Sequence, residues 1–102
     1  MTEIQYSEAA ITDLDALHFY FAFERENPTY ARNLLTELRE VIENLRLFPL
    51  MGVSRDMWQP GLRALMHDQY VVLYSYSESD SVVLIESVLD GRRDIENRFR
   101  DQ

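Results

Sequence analysis

The spacing of apolar positions changes from helical to strand-like about two thirds of the way along the chain. Residues 3–7, EIQYS, set Ile4 and Tyr6 alternately between polar neighbours, the pattern of a short half-buried strand. Ser7 offers a side-chain oxygen to the unpaired N–H groups of a first helical turn. Beyond it Ala10, Leu14, Leu17 and Phe21 recur at steps of three and four, with Ile11 and His18 beside them, which predicts a helix to about Arg25. Asn27-Pro28 starts a second helix, because Asn caps well and Pro at the first helical position gives up no hydrogen bond. Ala31, Leu34, Leu35, Leu38, Val41, Ile42 and Leu45 then form one apolar stripe, closed by Phe48-Pro49 and Gly52. The short connection makes the two helices an antiparallel hairpin.

From Leu62 the period becomes two. LRALMH (62–67), YVVLYSY (70–76) and VVLIESVL (82–89) read as three strands, joined by Asp68-Gln69 and by the polar SESDS turn, 77–81. Alternation sets Arg63, Leu65 and His67 on one face of the first of these strands and Leu62, Ala64 and Met66 on the other. Asp90 offers a cap, and Asp94, Ile95 and Phe99 suggest a short terminal helix. The predicted fold is α+β, in the order β-α-α-β-β-β with a short C-terminal helical tail. Its helical hairpin packs on a small antiparallel sheet drawn largely from the C-terminal half, and residues 1–102 form a single domain.

Composition narrows the function classes. A 46% hydrophobic fraction fits a folded chain, and the absence of cysteine removes disulfides, thiolate metal sites and a Cys nucleophile. No basic-then-apolar leader and no membrane-length apolar run is present, so a cytoplasmic location is the expectation. Eighteen acids oppose ten bases, all of them arginine, for a net charge of -8. That balance argues against strong direct nucleic-acid binding, which depends on neutralising phosphates. No His and carboxylate spacing suits a metal, and neither metal nor cofactor is expected.

Several spaced motifs carry a likeness to a known family. They are Ala10-x-x-Asp13-Leu14, Asn27-Pro28-x-x-Ala31, Phe48-Pro49-x-x-Gly52, Gly61-Leu62-Arg63, Tyr70-Val71-Val72-x-Tyr74 and Val88-Leu89-Asp90-Gly91-Arg92-Arg93-Asp94. In this order, and over nearly the whole chain, they resemble the RelE/ParE toxin superfamily and its ParE branch in particular. Asp90 departs from the pattern, which usually has His there. The resemblance implies a bacterial type II toxin with a ParD-like, ribbon-helix-helix antitoxin as partner. It also implies DNA gyrase as target and an assembly as homodimer or as heterotetramer with antitoxin.

The other branch of the superfamily contains ribosome-dependent mRNA endoribonucleases, and a non-toxic homologue acting only as an antitoxin-binding co-repressor is a third reading. Metal-free RNA cleavage needs groups to deprotonate the 2′-hydroxyl, stabilise the phosphorane and protonate the leaving oxygen. By the resemblance, Arg63 and Arg93 match two arginine positions of such nucleases. Their lysines have no counterpart, and their tyrosine position falls on Phe99. His67 is the remaining candidate. Arginines bind phosphate but stay protonated, so they are poor proton shuttles. Loss of one acid–base group typically costs about 10² to 10⁴ in rate, and the balance favours a gyrase inhibitor without catalytic residues.

Target or antitoxin contact is assigned to Arg63, Arg92, Arg93, Phe19, Tyr20 and Phe23. Each has a plainer alternative. Arg63 can pair with an acid such as Glu86, and Arg92 and Arg93 with Asp90, Asp94 and Glu96. His18 reads as a core or boundary residue. In the HFYFAF run, 18–23, the aromatics Phe19, Tyr20 and Phe23 stand opposite Leu14 and Leu17, so the helix is apolar all round. They form either an interaction face or a surface covered by Tyr30 or by the C-terminal tail.

Overall fold

The computed structural model describes residues 2–91. Strand β1 (Glu3–Tyr6) leads into helix α1 (Glu8–Phe19), which runs on as a widened π-helical turn, Tyr20–Glu24. Helix α2 (Pro28–Glu43) ends in a 3₁₀ turn, Asn44–Arg46. Strands β2 (Val53–Ser54), β3 (Leu62–His67), β4 (Tyr70–Ser77) and β5 (Val82–Asp90) follow. The two expected helix starts carry their caps. Ser7 Oγ accepts the Ala10 N–H at 3.0 Å, and Asn27 Oδ1 accepts the Tyr30 N–H at 3.1 Å with Pro28 in the first turn.

The sheet has the order β1-β5-β4-β3-β2. The three expected C-terminal strands β3, β4 and β5 are antiparallel and the short β2 adds to them antiparallel, while β1 joins the β5 edge in parallel, with Ile4 opposite Val83 and Tyr6 opposite Ile85. The sheet is therefore mixed and five-stranded. Between the parallel β1 and β5 the chain runs through the helical hairpin and then β2, β3 and β4, a connection long enough for parallel pairing. The brief β2 lay in a stretch too short for alternation to reveal. The expected terminal helix, with Arg92, Arg93 and Phe99, lies outside the described residues.

The hairpin packs on one sheet face. Ala10, Leu14, Leu34, Leu35, Leu38, Ile42 and Leu45 meet Leu65, Val72, Tyr74, Val83 and Ile85, all buried. Burial of each Leu or Ile contributes about 1.5–3 kcal/mol, so the α2 stripe is the main attachment of the hairpin. On the reverse face Leu62, Ala64, Val71, Leu73 and Leu89 form a second buried cluster, with Trp58 partly covering it. Burial of β4 on both faces from Tyr70 to Tyr74 explains the continuous apolar run YVVL, whereas in VVLI Val83 and Ile85 are buried and Val82 and Leu84 half-buried.

Strand β5 carries an extra residue. Leu73 faces Ser87 and Tyr74 faces Ile85, leaving Glu86 unopposed as a bulge. The start of α1 holds that irregular edge, because the Ser7 hydroxyl donates to the Glu86 carbonyl at 2.9 Å. The Val88 N–H, past the end of β1, donates to Asp13 Oδ2 at 3.0 Å. Asp13 in the Ala10-x-x-Asp13-Leu14 motif thus serves the sheet, while Ala10 and Leu14 serve the core.

Candidate functional site

Arg63 and Tyr74 are direct cross-strand partners on β3 and β4. Both reach toward the segment that leaves α2. Arg63 Nη1 donates to the carbonyls of Gly52 at 2.8 Å and Leu50 at 3.3 Å. The Tyr74 hydroxyl donates to the Pro49 carbonyl at 2.8 Å and accepts the Gly52 N–H at 2.9 Å. Desolvation by burial raises the Tyr74 pKa above its ordinary value, with the Gly52 hydrogen bond and Arg63 opposing. The Phe48-Pro49-x-x-Gly52 and Gly61-Leu62-Arg63 motifs are therefore two halves of one clamp. Of the two readings of Arg63, the pair with Glu86 does not form among the described residues. Glu86 sits at the bulge, with its carboxylate 3.5 Å from Gln59 Nε2.

His67 lies on the same strand four residues from Arg63, about 13 Å at strand rise. Its buried Nε2 has no hydrogen-bond partner among the described residues. The carboxylates of Asp68 and Glu37 stand 3.8 and 4.0 Å away. The structure thus does not bring His67 and Arg63 onto one phosphate. Arg92 and Arg93, like Phe99, lie outside the described residues.

Tyr70 pairs with His67 across the hairpin and with Asp90 on β5. Burial foremost, then Tyr30 and Asp90, pushes its phenol up to about 12. A phenol so placed keeps its proton at neutral pH and is a poor general base. Gln69 Nε2 donates to the Asp90 carboxylate at 3.3 Å, which gives the departure at Asp90 a structural role at the end of β5. The Gly91 N–H donates to the Gln69 carbonyl at 2.7 Å, and a Cβ on Gly91 would stand 2.9 Å from Val71 Cγ2. Glycine in VLDGRRD is thus set by close packing. Among the described residues no group of three His, Cys, Asp or Glu could hold a metal ion.

Among the described residues the aromatic run of the first helix stays open. Phe19 is 56% exposed, Phe23 65% and Tyr20 39%, and the Phe19 and Phe23 rings lie 5.2 Å apart. Tyr30 packs edge-on against Phe21 at 4.8 Å, so it does not cover Phe19 and Phe23. His18 is exposed rather than core or boundary. The helix ends without the glycine that usually takes the left-handed position. Glu26 takes it instead, at φ 51°, and the preceding backbone widens into the π turn.

A second apolar surface went unread in the sequence. Leu47, Phe48, Leu50, Met51 and Val53 are exposed beside the clamp. Phe48, Pro49, Leu50 and Met51 line an open groove of about 440 Å³ with Tyr76 and Glu78. The available signal was that the α2 stripe closes at Leu45, leaving Leu47, Phe48, Leu50, Met51 and Val53 with no periodic element to bury them.

Residues 4–95 match the family described as ParE toxin of type II toxin-antitoxin system, parDE. The chain belongs to the ParE toxin family. Toxin ParE3 of Caulobacter vibrioides is 32% identical over 83 residues, covering 81% of this chain and 80% of that protein. Among solved structures the fold is similar to a chromosomal ParDE system from P. aeruginosa. That match has a TM-score of 0.70 at 20% identity, covering 86% of this chain and 94% of that one. It is also similar to the RelBE2 toxin–antitoxin complex of Mycobacterium tuberculosis, with a TM-score of 0.62 at 19% identity over 85% and 94% of the two chains. Isolated E. coli RelE toxin aligns over all of both chains at 20% identity with a TM-score of 0.56. This ParE-family fold is thus two helices on a mixed five-stranded sheet, shared by both branches of the superfamily. Within the described residues no helix is long and apolar enough to cross a membrane.

Proposed function

We propose that this ParE-family toxin arrests growth by inhibiting DNA gyrase through surface contact rather than by cleaving RNA. The observation that carries the reading is the engagement of Arg63. Its Nη1 is held by two backbone carbonyls, and its strand neighbour His67 sits about four strand residues away among carboxylates. A nuclease requires a proton donor and acceptor converging on one phosphate. Tyr70, with its raised pKa, does not replace the acceptor.

The partner that neutralises the toxin is an antitoxin of the ParD-like, ribbon-helix-helix kind. The exposed Phe19, Tyr20 and Phe23 are the contact proposed for it, and Arg92 and Arg93 the contact proposed for antitoxin or gyrase. Expression in bacteria separates an active toxin from an inert co-repressor by growth arrest. Purified chain is then added to gyrase with relaxed plasmid, and in parallel to ribosomes translating a defined mRNA. Loss of supercoiling, or accumulation of gyrase-cleaved DNA with intact mRNA, is the expected result. Ribosome-dependent cleavage with normal supercoiling would overturn it. Replacing Arg92 and Arg93 together by alanine is expected to abolish arrest in a chain that still folds.

A further inference from the structure

The exposed aromatic pair is bracketed by carboxylates. Asp15 lies four residues before Phe19, one helical turn along the same face, and Glu8 begins the same helix. Glu24 and Glu26 follow Phe23 directly. All four acids are exposed, and none takes an ion-pair partner among the described residues. Arg25 is the one arginine between residues 8 and 26, and His18 is the other basic side chain there. Over residues 2–91 acids outnumber arginines by 15 to 6, counted from the sequence, so the wider field has the same sign.

This pattern disfavours a second copy of the chain as occupant. A two-fold contact sets a surface against itself, and pairing around Phe19 and Phe23 would bring the acids of one copy to those of the other. Like charges at such a contact cost affinity. We propose that the face receives a basic amphipathic segment of the antitoxin, whose apolar side chains cover Phe19 and Phe23 while flanking Lys or Arg residues meet Asp15, Glu8, Glu24 and Glu26. The inference rests on the antitoxin reading above and adds the sign of charge the partner must carry. Attraction between such surfaces acts mainly on association rate and weakens as salt shortens the screening length.

The test uses the full chain and, as probe, the protein encoded by the reading frame adjacent to its gene. Affinity is measured at about 0.05 and 0.5 M salt for the native chain, for Phe19→Ser/Phe23→Ser, and for Glu8→Gln/Asp15→Asn/Glu24→Gln/Glu26→Gln. Circular dichroism checks that both variants are folded. The neutralised variant is expected to bind about tenfold more weakly at low salt and to lose most of its salt dependence. The serine variant should bind weakly at both salts. Unchanged or tighter binding by the neutralised variant overturns the charge inference while leaving the aromatic contact standing. Native binding that survives the serine changes overturns the docking face. Absence of any native complex sinks the antitoxin reading and this inference together.

Discussion

Tyr74 and Gly52 are locked by contact as well as by hydrogen bond. The Gly52 N–H donates to the phenol oxygen at 2.9 Å, and a Cβ built on Gly52 would stand 2.7 Å from that oxygen and from Cε1 of the same ring. Neither atom can yield easily, because Tyr74 is buried in the core and its hydroxyl also holds Pro49. Gly52→Ala is therefore expected to destabilise the chain by about 1–3 kcal/mol through overpacking. Tyr74→Phe should cost about 1–3 kcal/mol, because it leaves the buried Gly52 N–H without its acceptor. In Tyr74→Phe the added cost of Gly52→Ala should shrink, since the displaced oxygen is gone. Urea denaturation of the four chains measures the coupling, and strict additivity would show that the two residues do not constrain each other.

Arg63 is expected to act on folding before it acts on any target. Its bonds to the Leu50 and Gly52 carbonyls are charge-assisted and worth about 1.5–3 kcal/mol. Arg63→Ala should lower stability by that order and expose the 49–54 segment to proteolysis. Arg63→Lys keeps the charge but loses the planar fork, and it should recover only part of the loss. An Arg63→Ala chain of native stability that is nonetheless inactive would instead assign Arg63 to the target surface.

The same residue shows how far the sequence could be read. Both helices and the three long strands were legible because each buries a stripe, and Ala10, Leu34, Leu38, Val72 and Ile85 obey the period of their element. The parallel place of β1 was not, since four residues with two apolar positions say which face is buried but not which strand lies beside them. For Arg63 the sequence offers either a target or antitoxin contact or a pair with an acid such as Glu86, and the structure sets its guanidinium on backbone carbonyls in place of Glu86. Backbone carbonyls leave no mark in a sequence, whereas an acid such as Glu86 does, and the bulge at Glu86 moved that acid out of register. The aromatics of the first helix make it apolar all round, and of the two covers open to them Tyr30 packs on Phe21 instead, while the C-terminal tail lies outside the described residues. Arg92 and Arg93 lie outside the described residues.

Asp13 is expected to matter for the sheet more than for the helix that carries it. Its carboxylate accepts the Val88 N–H at a part-buried site where β1 has ended and no strand supplies an acceptor. Asp13→Ala should destabilise by about 1–3 kcal/mol, the cost of leaving that donor unsatisfied. Asp13→Asn retains an oxygen and should recover most of it. Amide exchange at Val88 reports the bond directly. Protection at Val88 that is unaltered in Asp13→Ala would mean that another group holds the strand edge.

The loop from Arg55 to Gly61 should open in acid, and one side chain sets where. Asp56 accepts the Gly61 N–H at 2.8 Å and the Ser54 hydroxyl at 3.1 Å. The Gly61 bond first, then the Ser54 bond, hold its carboxyl below the ordinary aspartate value. A lowered folded value means that the ionised form favours the closed loop. That contribution is complete above the unfolded value of about 3.9 and disappears as pH falls through the lower folded one. The single tryptophan, Trp58, lies in this loop beneath Arg55, whose guanidinium carbon is 5.1 Å from its ring centroid, and against the second core. Its emission is expected to shift to the red over that acid window in the native chain. Asp56→Asn keeps an oxygen acceptor but no titrating charge, so its loop should hold an emission independent of pH until the whole chain unfolds. A variant that follows the native acid transition would remove Asp56 as its cause and transfer it to the other carboxylates of the chain.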